Sequence, residues 1–390
     1  MRLLVRSFAV LLSFALAALF FVRDARAGEP SPTVDLYTIG PSGEFPSRYG
    51  HALVCVRDPG QDDPEHGHCF DYGVPNSQDM MNVGWTAMRG GSNFIPVTIA
   101  EPLMVQFFKD QGRAVERQRL PLSPEETTKL LSAMDDEVKQ QRSYAYHPYW
   151  ANCTTKIRDH IDTATNGRLR PGPTAIPPGT LREYMEEGNT GRLLLLPMAV
   201  FLGEGNDRTP TPWEAMLLPS VLRDGVTERF GAKPELLQER LEPIVPTSRA
   251  LGRILLFILA AALFGVVRLC ARKNRLPLAL KIVGGTLGVL AITIEMTSAL
   301  VRWPEISHNW GLLLFLPTDL ALPYLKGRRL SLYLKARVAI AGVLAVLEIA
   351  NVAHQPLLPL VALVVFPYLG LLGVLKQAKP AEESEPAPVV

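Results

Sequence analysis

From Leu251 onward the chain is a succession of five apolar stretches, at about 251–270, 278–301, 310–325, 337–352 and 356–375. A bilayer core is about 30 Å thick and takes ~20 apolar residues as a helix. Most of these stretches approach that length, the third and fourth being short. Nothing else in the chain restricts its architecture as strongly, because in lipid every backbone polar group must be satisfied within the segment itself. The expectation is an all-α transmembrane domain of five helices over residues 250–376. Basic residues orient it. Arg268, Arg272, Lys273, Arg275 and Lys281 flank the first connection, and Lys326, Arg328, Arg329, Lys335 and Arg337 the third. The second carries Arg302 alone and the fourth no Lys or Arg. Cytoplasmic loops collect Lys and Arg, so the first and third connections are expected inside and the region before residue 250 outside.

The other end of the chain points the same way. Arg2 and Arg6 precede an apolar run from Ser7 to Val22, and Ala25-Arg26-Ala27 offers small residues ahead of Gly28. This is the pattern of a signal peptide over residues 1–27, with an uncleaved anchor as the alternative. Residues 28–245 then read as an exported domain large enough for its own core. Residues 377–390, rich in Pro, Glu and Ala, read as a disordered cytoplasmic tail. A net charge of +2, with no basic stripe among aromatics, gives no case for nucleic acid.

Inside the exported domain, Thr33–Ile39, Gly50–Val56, His68–Tyr72, Phe94–Ile99 and Ala114–Pro121 read as short strands between Gly, Pro and Asp. Ser123-Pro124-Glu125-Glu126 opens a helix by a capping box and carries it to about Arg142. Asn152 caps the next, at about 153–165. Thr180-Leu181-Arg182-Glu183 caps a shorter one. Strands followed by helices give an α+β domain.

Four cysteines are present: Cys55, Cys69, Cys153 and Cys270. Cys270, at a membrane helix end, reads as a small apolar residue. Cys55 and Cys69 lie in neighbouring strand-like runs and are either a disulfide or two buried thiols, since spacing in space is not written in the sequence. Cys153 is left over. Its position in the first turn behind the Asn152 cap matters. Free amides and the helix dipole favour a thiolate there, and the same amides suit an oxyanion hole. His51, behind the small Gly50 at a strand start, is the candidate general base and acid. Asp71, on the following strand, is the candidate to orient its ring. His66 and His68 lack a third ligand at metal-like spacing, so no metal is expected, and no cofactor either. His147 precedes Pro148 and reads as a turn residue, while His160 lies too far along its helix to reach the thiol.

These residues carry a resemblance. The runs Tyr49-Gly50-His51-Ala52-Leu53-Val54, Phe70-Asp71-Tyr72-Gly73, Tyr144-Ala145-Tyr146 and Asn152-Cys153-Thr154-Thr155-Lys156-Ile157-Arg158-Asp159 resemble the Lnb N-terminal periplasmic domain family. Trp213–Leu222 and the segment His308–Pro317 extend it. Proteins of that type are lipoprotein N-acyltransferases. The His-before-Cys order also resembles circularly permuted papain-like enzymes, the group of the LRAT-like phospholipid acyltransferases. The resemblance implies a permuted papain-like exported domain on a multi-pass bacterial inner membrane protein, facing the periplasm. It implies a phospholipid as acyl donor, a lipidated apolipoprotein as acceptor and Cys153 as nucleophile. Asn152 and Tyr49 beside the catalytic pair are then expected to contact substrate. So are His308 and Asn309, in an outward connection, and Glu295, an intramembrane acid. Asp319 and Glu348 are expected to pair with Lys or Arg near the interface. The competing readings are a membrane-anchored cysteine peptidase or amidase acting on cell-wall peptides, and a binding module in which Cys153 is a buried thiol.

Overall fold

The computed structural model describes residues 31–42, 47–61, 64–91, 93–188, 195–243 and 250–378. The segment read as a signal peptide, and the tail beyond residue 378, lie outside these. Six strands form one antiparallel sheet: β1 (Thr33–Ile39), β2 (His51–Arg57), β3 (His68–Pro75), β4 (Phe94–Ala100), β5 (Val115–Arg119) and β6 (Glu235–Gln238), in the order β4-β3-β2-β1-β5-β6. Strand side chains alternate between faces, and here both faces are apolar. Leu36, Val54 and Phe70 pack on one side beneath the helices α3 (Pro124–Lys139), α4 (Cys153–Ala164) and α7 (Pro219–Phe230). Tyr37, Leu53 and Cys55 pack on the other against Met104 and Phe108 of α2 (Glu101–Asp110). Each buried aliphatic or aromatic side chain contributes about 1.5–3 kcal/mol.

Two helices have weaker sequence signals: α1 (Met80–Met88), capped by Asp79, and α2, which starts directly from β4 with Pro102 in its first turn. The start of α2 carries a buried charge network. Glu101 and Asp35 both receive the guanidinium of Arg57, with Arg57 Nε 2.9 Å from Glu101 Oε2 and Nη1 2.8 Å from Asp35 Oδ2. Gly67 makes room for it, since a Cβ there would lie 1.8 Å from Glu101 Oε2. Cys55 and Cys69 face each other across β2 and β3 and form a disulfide, which resolves the choice that the sequence left open.

Beyond the helices α5 (Leu181–Gly188) and α6 (Leu195–Phe201) comes a second apolar core. Among the described residues four helices are long and apolar enough to cross a membrane: α8 (Leu251–Arg272), α9 (Leu276–Leu300), α10 (Gly327–Ile349) and α11 (Leu358–Ala378). The expected fifth helix, at 310–325, is not there. That stretch is a single helical turn at Gly311–Leu314, two extended residues, and a 3₁₀ helix at Pro317–Tyr324. Pro317 and Pro323 lack the amide hydrogens that a continuous helix needs. The 3₁₀ segment lies against Gly284 and Gly288 of α9, where an added Cβ would be 2.6 Å from Asp319 O and 2.5 Å from Leu320 Cγ.

Asp319 and Arg337 hold this broken segment. They are 0 % and 2 % exposed and paired through Nε–Oδ1 at 3.1 Å and Nη2–Oδ2 at 2.9 Å. Tyr333 adds its hydroxyl to Asp319, and Arg337 also donates to the Leu314 carbonyl. Non-helical backbone at such a depth is tolerated where protein covers it. The expected pairing of Asp319 with a basic residue therefore occurs, but inside the bundle. Glu348 instead accepts from the Leu358 amide across the α10–α11 turn.

Contacts at that turn set the direction of the bundle. His354 reaches Glu204, and Gln355 donates to Asn309. The end of α10 is therefore beside the sheet domain. Its basic start, with Arg328 and Arg329, is a helix length of about 34 Å away.

Candidate active site

His51 owes its place to Gly50. The backbone there has φ +87°, and a Cβ would lie 2.7 Å from Ile39 O, so glycine alone turns the chain tightly into β2. Extending the β2–β3 register, in which Val54 faces Phe70, brings His51 opposite Gly73. The ladder between β3 and β4 shifts between Asp71 and Val74. Asp71 thereby comes to His51, with Nε2 2.9 Å from Oδ1, and the Gly73 amide donates to the same oxygen at 2.6 Å. The ring of Phe108 flanks the imidazole at 5.9 Å.

Cys153 opens α4, as the cap predicted. Asn152 Oδ1 accepts the Thr155 amide at 2.8 Å, and Thr155 Oγ1 accepts the Asn152 amide at 2.8 Å. Both backbone donors are satisfied reciprocally, a capping box with Thr in the third position. The Asn152 amide group also donates to Pro148 O and Leu217 O, at 2.8 and 3.3 Å. Every polar group of this buried side chain is committed, so Asn152 fixes the start of the helix that carries Cys153.

The thiol meets the imidazole, and the electrostatics follow from that contact. Burial pushes the Cys153 thiol up, but the charge of His51 and a hydrogen bond from it outweigh this and hold it below its ordinary value of 9.0. Burial pushes His51 down, yet Asp71 and the Cys153 thiolate together raise it well above 6.5. Asp71 is lowered: burial opposes its ionisation, and His51 and the Gly73 amide overcome that. All three shifts run in the direction that favours a carboxylate–imidazolium–thiolate row. Because Nε2 is held by Asp71, Nδ1 is the ring atom left to exchange a proton with sulfur.

Tyr144 and Tyr146 complete the surroundings, with phenols raised first by burial and then by the Cys153 charge. Tyr144 donates to the Tyr72 carbonyl, and Tyr146 stacks on Phe94 at 4.5 Å. Nothing local in this Tyr-x-Tyr run gives it a place in the site. Tyr49 donates its hydroxyl to Met185 O at 3.0 Å. Asn309 is likewise engaged by the protein. It is buried, donating to Val200 O and Phe201 O and accepting from Gly311 and Gln355. His308 is exposed on the connection after α9, and Glu295 is exposed near the end of α9. No contact among the described residues brings either to Cys153.

One residue that sequence reasoning passed over ties the site to the bundle. Glu305 accepts Trp150 Nε1 at 2.8 Å, and His147 Nε2 lies 3.3 Å from it. Asn206 accepts Tyr149 at 2.5 Å and donates to Glu305 O at 2.7 Å. The turn leading into Cys153 is thus pinned to the connection that follows α9. His160, far along α4, bonds Tyr72 and Glu137 instead.

No curated protein and no solved structure matches the chain. Residues 28–187, the stretch that holds His51, Asp71 and Cys153, match the family model of the Lnb N-terminal periplasmic domain.

Proposed function

We propose that this protein is a lipoprotein N-acyltransferase whose nucleophile is Cys153. The observation that carries the reading is the row Asp71–His51–Cys153, with the thiol lowered and the imidazole raised. The Cys153 thiolate attacks the ester carbonyl of a phospholipid. The amides of the first α4 turn receive the oxyanion. Collapse breaks the ester C–O bond, and His51 gives its Nδ1 proton to the departing lysophospholipid alkoxide. Neutral His51 then takes a proton from the α-amine of a lipidated N-terminal cysteine as that amine attacks the thioester carbonyl. Breaking the C–S bond returns the thiolate, and amide and lysophospholipid are the products.

Both substrates are lipids, which supports a site fastened to the bundle through Glu305 rather than one on a tether. A cell-wall amidase would use the same pair but has no need of that attachment. The test is acid-quenched mass spectrometry of the purified full chain after incubation with phosphatidylethanolamine. The reading expects a hydroxylamine-sensitive acyl mass on the peptide containing Cys153, and none with His51→Ala. An unmodified peptide throughout would count against it.

A further inference from the structure

The helix α1 presents an outward face that the acyl-transfer chemistry does not use. Val83 and Ala87 are its buried side. Opposite them, Met81 is 85 % exposed, and Met80 and Trp85 are about half exposed. A small domain rarely leaves such a row in water. Its position identifies what covers it. The Arg302 amide, just beyond the last turn of α9, donates to Met88 O at 2.9 Å, and the Arg302 side chain lies along Gly90. The end of α1 is therefore level with the point where an apolar, membrane-length helix stops. Arg89 lies over the Trp85 ring at 5.8 Å, so two exposed guanidiniums border the Met/Trp face. Trp150 and Trp303 flank His147 at the same junction, at 6.2 and 5.0 Å between ring centroids. Tryptophan collects at the membrane–water boundary, and basic residues beside an apolar helical face suit anionic head groups over acyl chains.

We propose that α1 is an interfacial helix, with Met80, Met81 and Trp85 seated among the acyl chains of the outward-facing leaflet and Arg89 and Arg302 at the head groups. The inference stands apart from the acyl-transfer reading, though it bears on it. Asn93 donates to Val83 O at 2.6 Å and accepts the Tyr146 amide at 3.3 Å, so a helix resting in lipid is two hydrogen bonds from a wall of the Cys153 site.

The test uses the full chain with Cys153→Ala and Cys270→Ala, reconstituted in vesicles of phosphatidylethanolamine and phosphatidylglycerol. A nitroxide is attached at Met81→Cys or, for comparison, at Lys139→Cys on the polar face of α3. Collision with oxygen and with a water-soluble nickel chelate reads depth. The proposal expects the label at 81 to favour oxygen at least several-fold more than the label at 139. Equal nickel access at the two positions would overturn it. So would a label at 81 shielded from both reagents, which would mean that protein covers the face. Because Met81 is exposed, its replacement leaves the core intact, and the readout needs no enzymatic activity.

Discussion

Gly73 lies against the His51 ring so closely that a Cβ there would meet Cε1 at 2.6 Å and Nδ1 at 3.3 Å. The same residue donates its amide to Asp71, so one glycine both supports the ring's partner and leaves space for the ring.

Gly73→Ala should displace the imidazole while leaving the fold in place. A misplacement near 1 Å can cost about 10²-fold in rate, and a loss of that order in kcat is expected with little change in thermal midpoint. Gly73 is a positioning residue. Its replacement should therefore also move the pH profile of Cys153 alkylation toward that of an isolated thiol, which a purely structural defect would not do.

The pH dependence follows from the signs of the shifts. Cys153 is lowered from 9.0 and His51 is raised from 6.5, so the acid limb of activity is expected below 9.0 and the alkaline limb above 6.5. In His51→Ala the cation is gone, while burial and the Asp71 charge remain, and both push the thiol up. Iodoacetamide labelling of Cys153 at pH 7 should fall sharply and return above pH 9. Asp71→Asn should bring the alkaline limb of activity down toward 6.5, because His51 loses the strongest partner that favours its charged form. Unchanged profiles in both variants would rule out the proposed row.

Part of this site is legible in the sequence, and the missing part has a physical pattern. Asn152 before Cys153 announces a helix start because capping is local, and Gly50-His51 announces a tight strand entry for the same reason. The proximity of Asp71 to His51 is legible because adjacent strands in an antiparallel sheet carry their neighbours with them. Glu305 could not be found that way. It lies over 150 residues from its partner Trp150, and its surroundings are set by tertiary packing. The third apolar stretch misled for a related reason. Its composition suits a span, while Pro317, Pro323 and the partner Arg337 decide its backbone. The Met/Trp helix α1 has a weak inward stripe, since much of its apolar surface faces out.

The Asp319–Arg337 pair makes a separate prediction about the bundle. Removing one member leaves an unpaired charge under protein cover, and Asp319→Leu or Arg337→Leu should each cost about 3–5 kcal/mol. Replacing both together should recover much of that loss. Thermal unfolding of the purified chain in detergent checks it, and equal damage from single and double variants would contradict it.

The Cys55–Cys69 disulfide closes a loop with a sequence separation of 14, for which chain-entropy arguments give about 3 kcal/mol. Cys55→Ala with Cys69→Ala should lower stability by that order. Activity below the transition should persist, because neither sulfur belongs to the catalytic row. Loss of activity in a folded variant would mean that the disulfide also sets the geometry of His51.

The proposed reaction is acyl transfer through Cys153 to a lipoprotein amine. Mass spectrometry of a lipoprotein's N-terminal peptide tests it most directly, in cells lacking their own N-acylation step and given either the wild-type chain or Cys153→Ala. An added amide-linked acyl chain is expected with the wild type and none with the variant. An unmodified amine in both, with each protein present and folded, would contradict it.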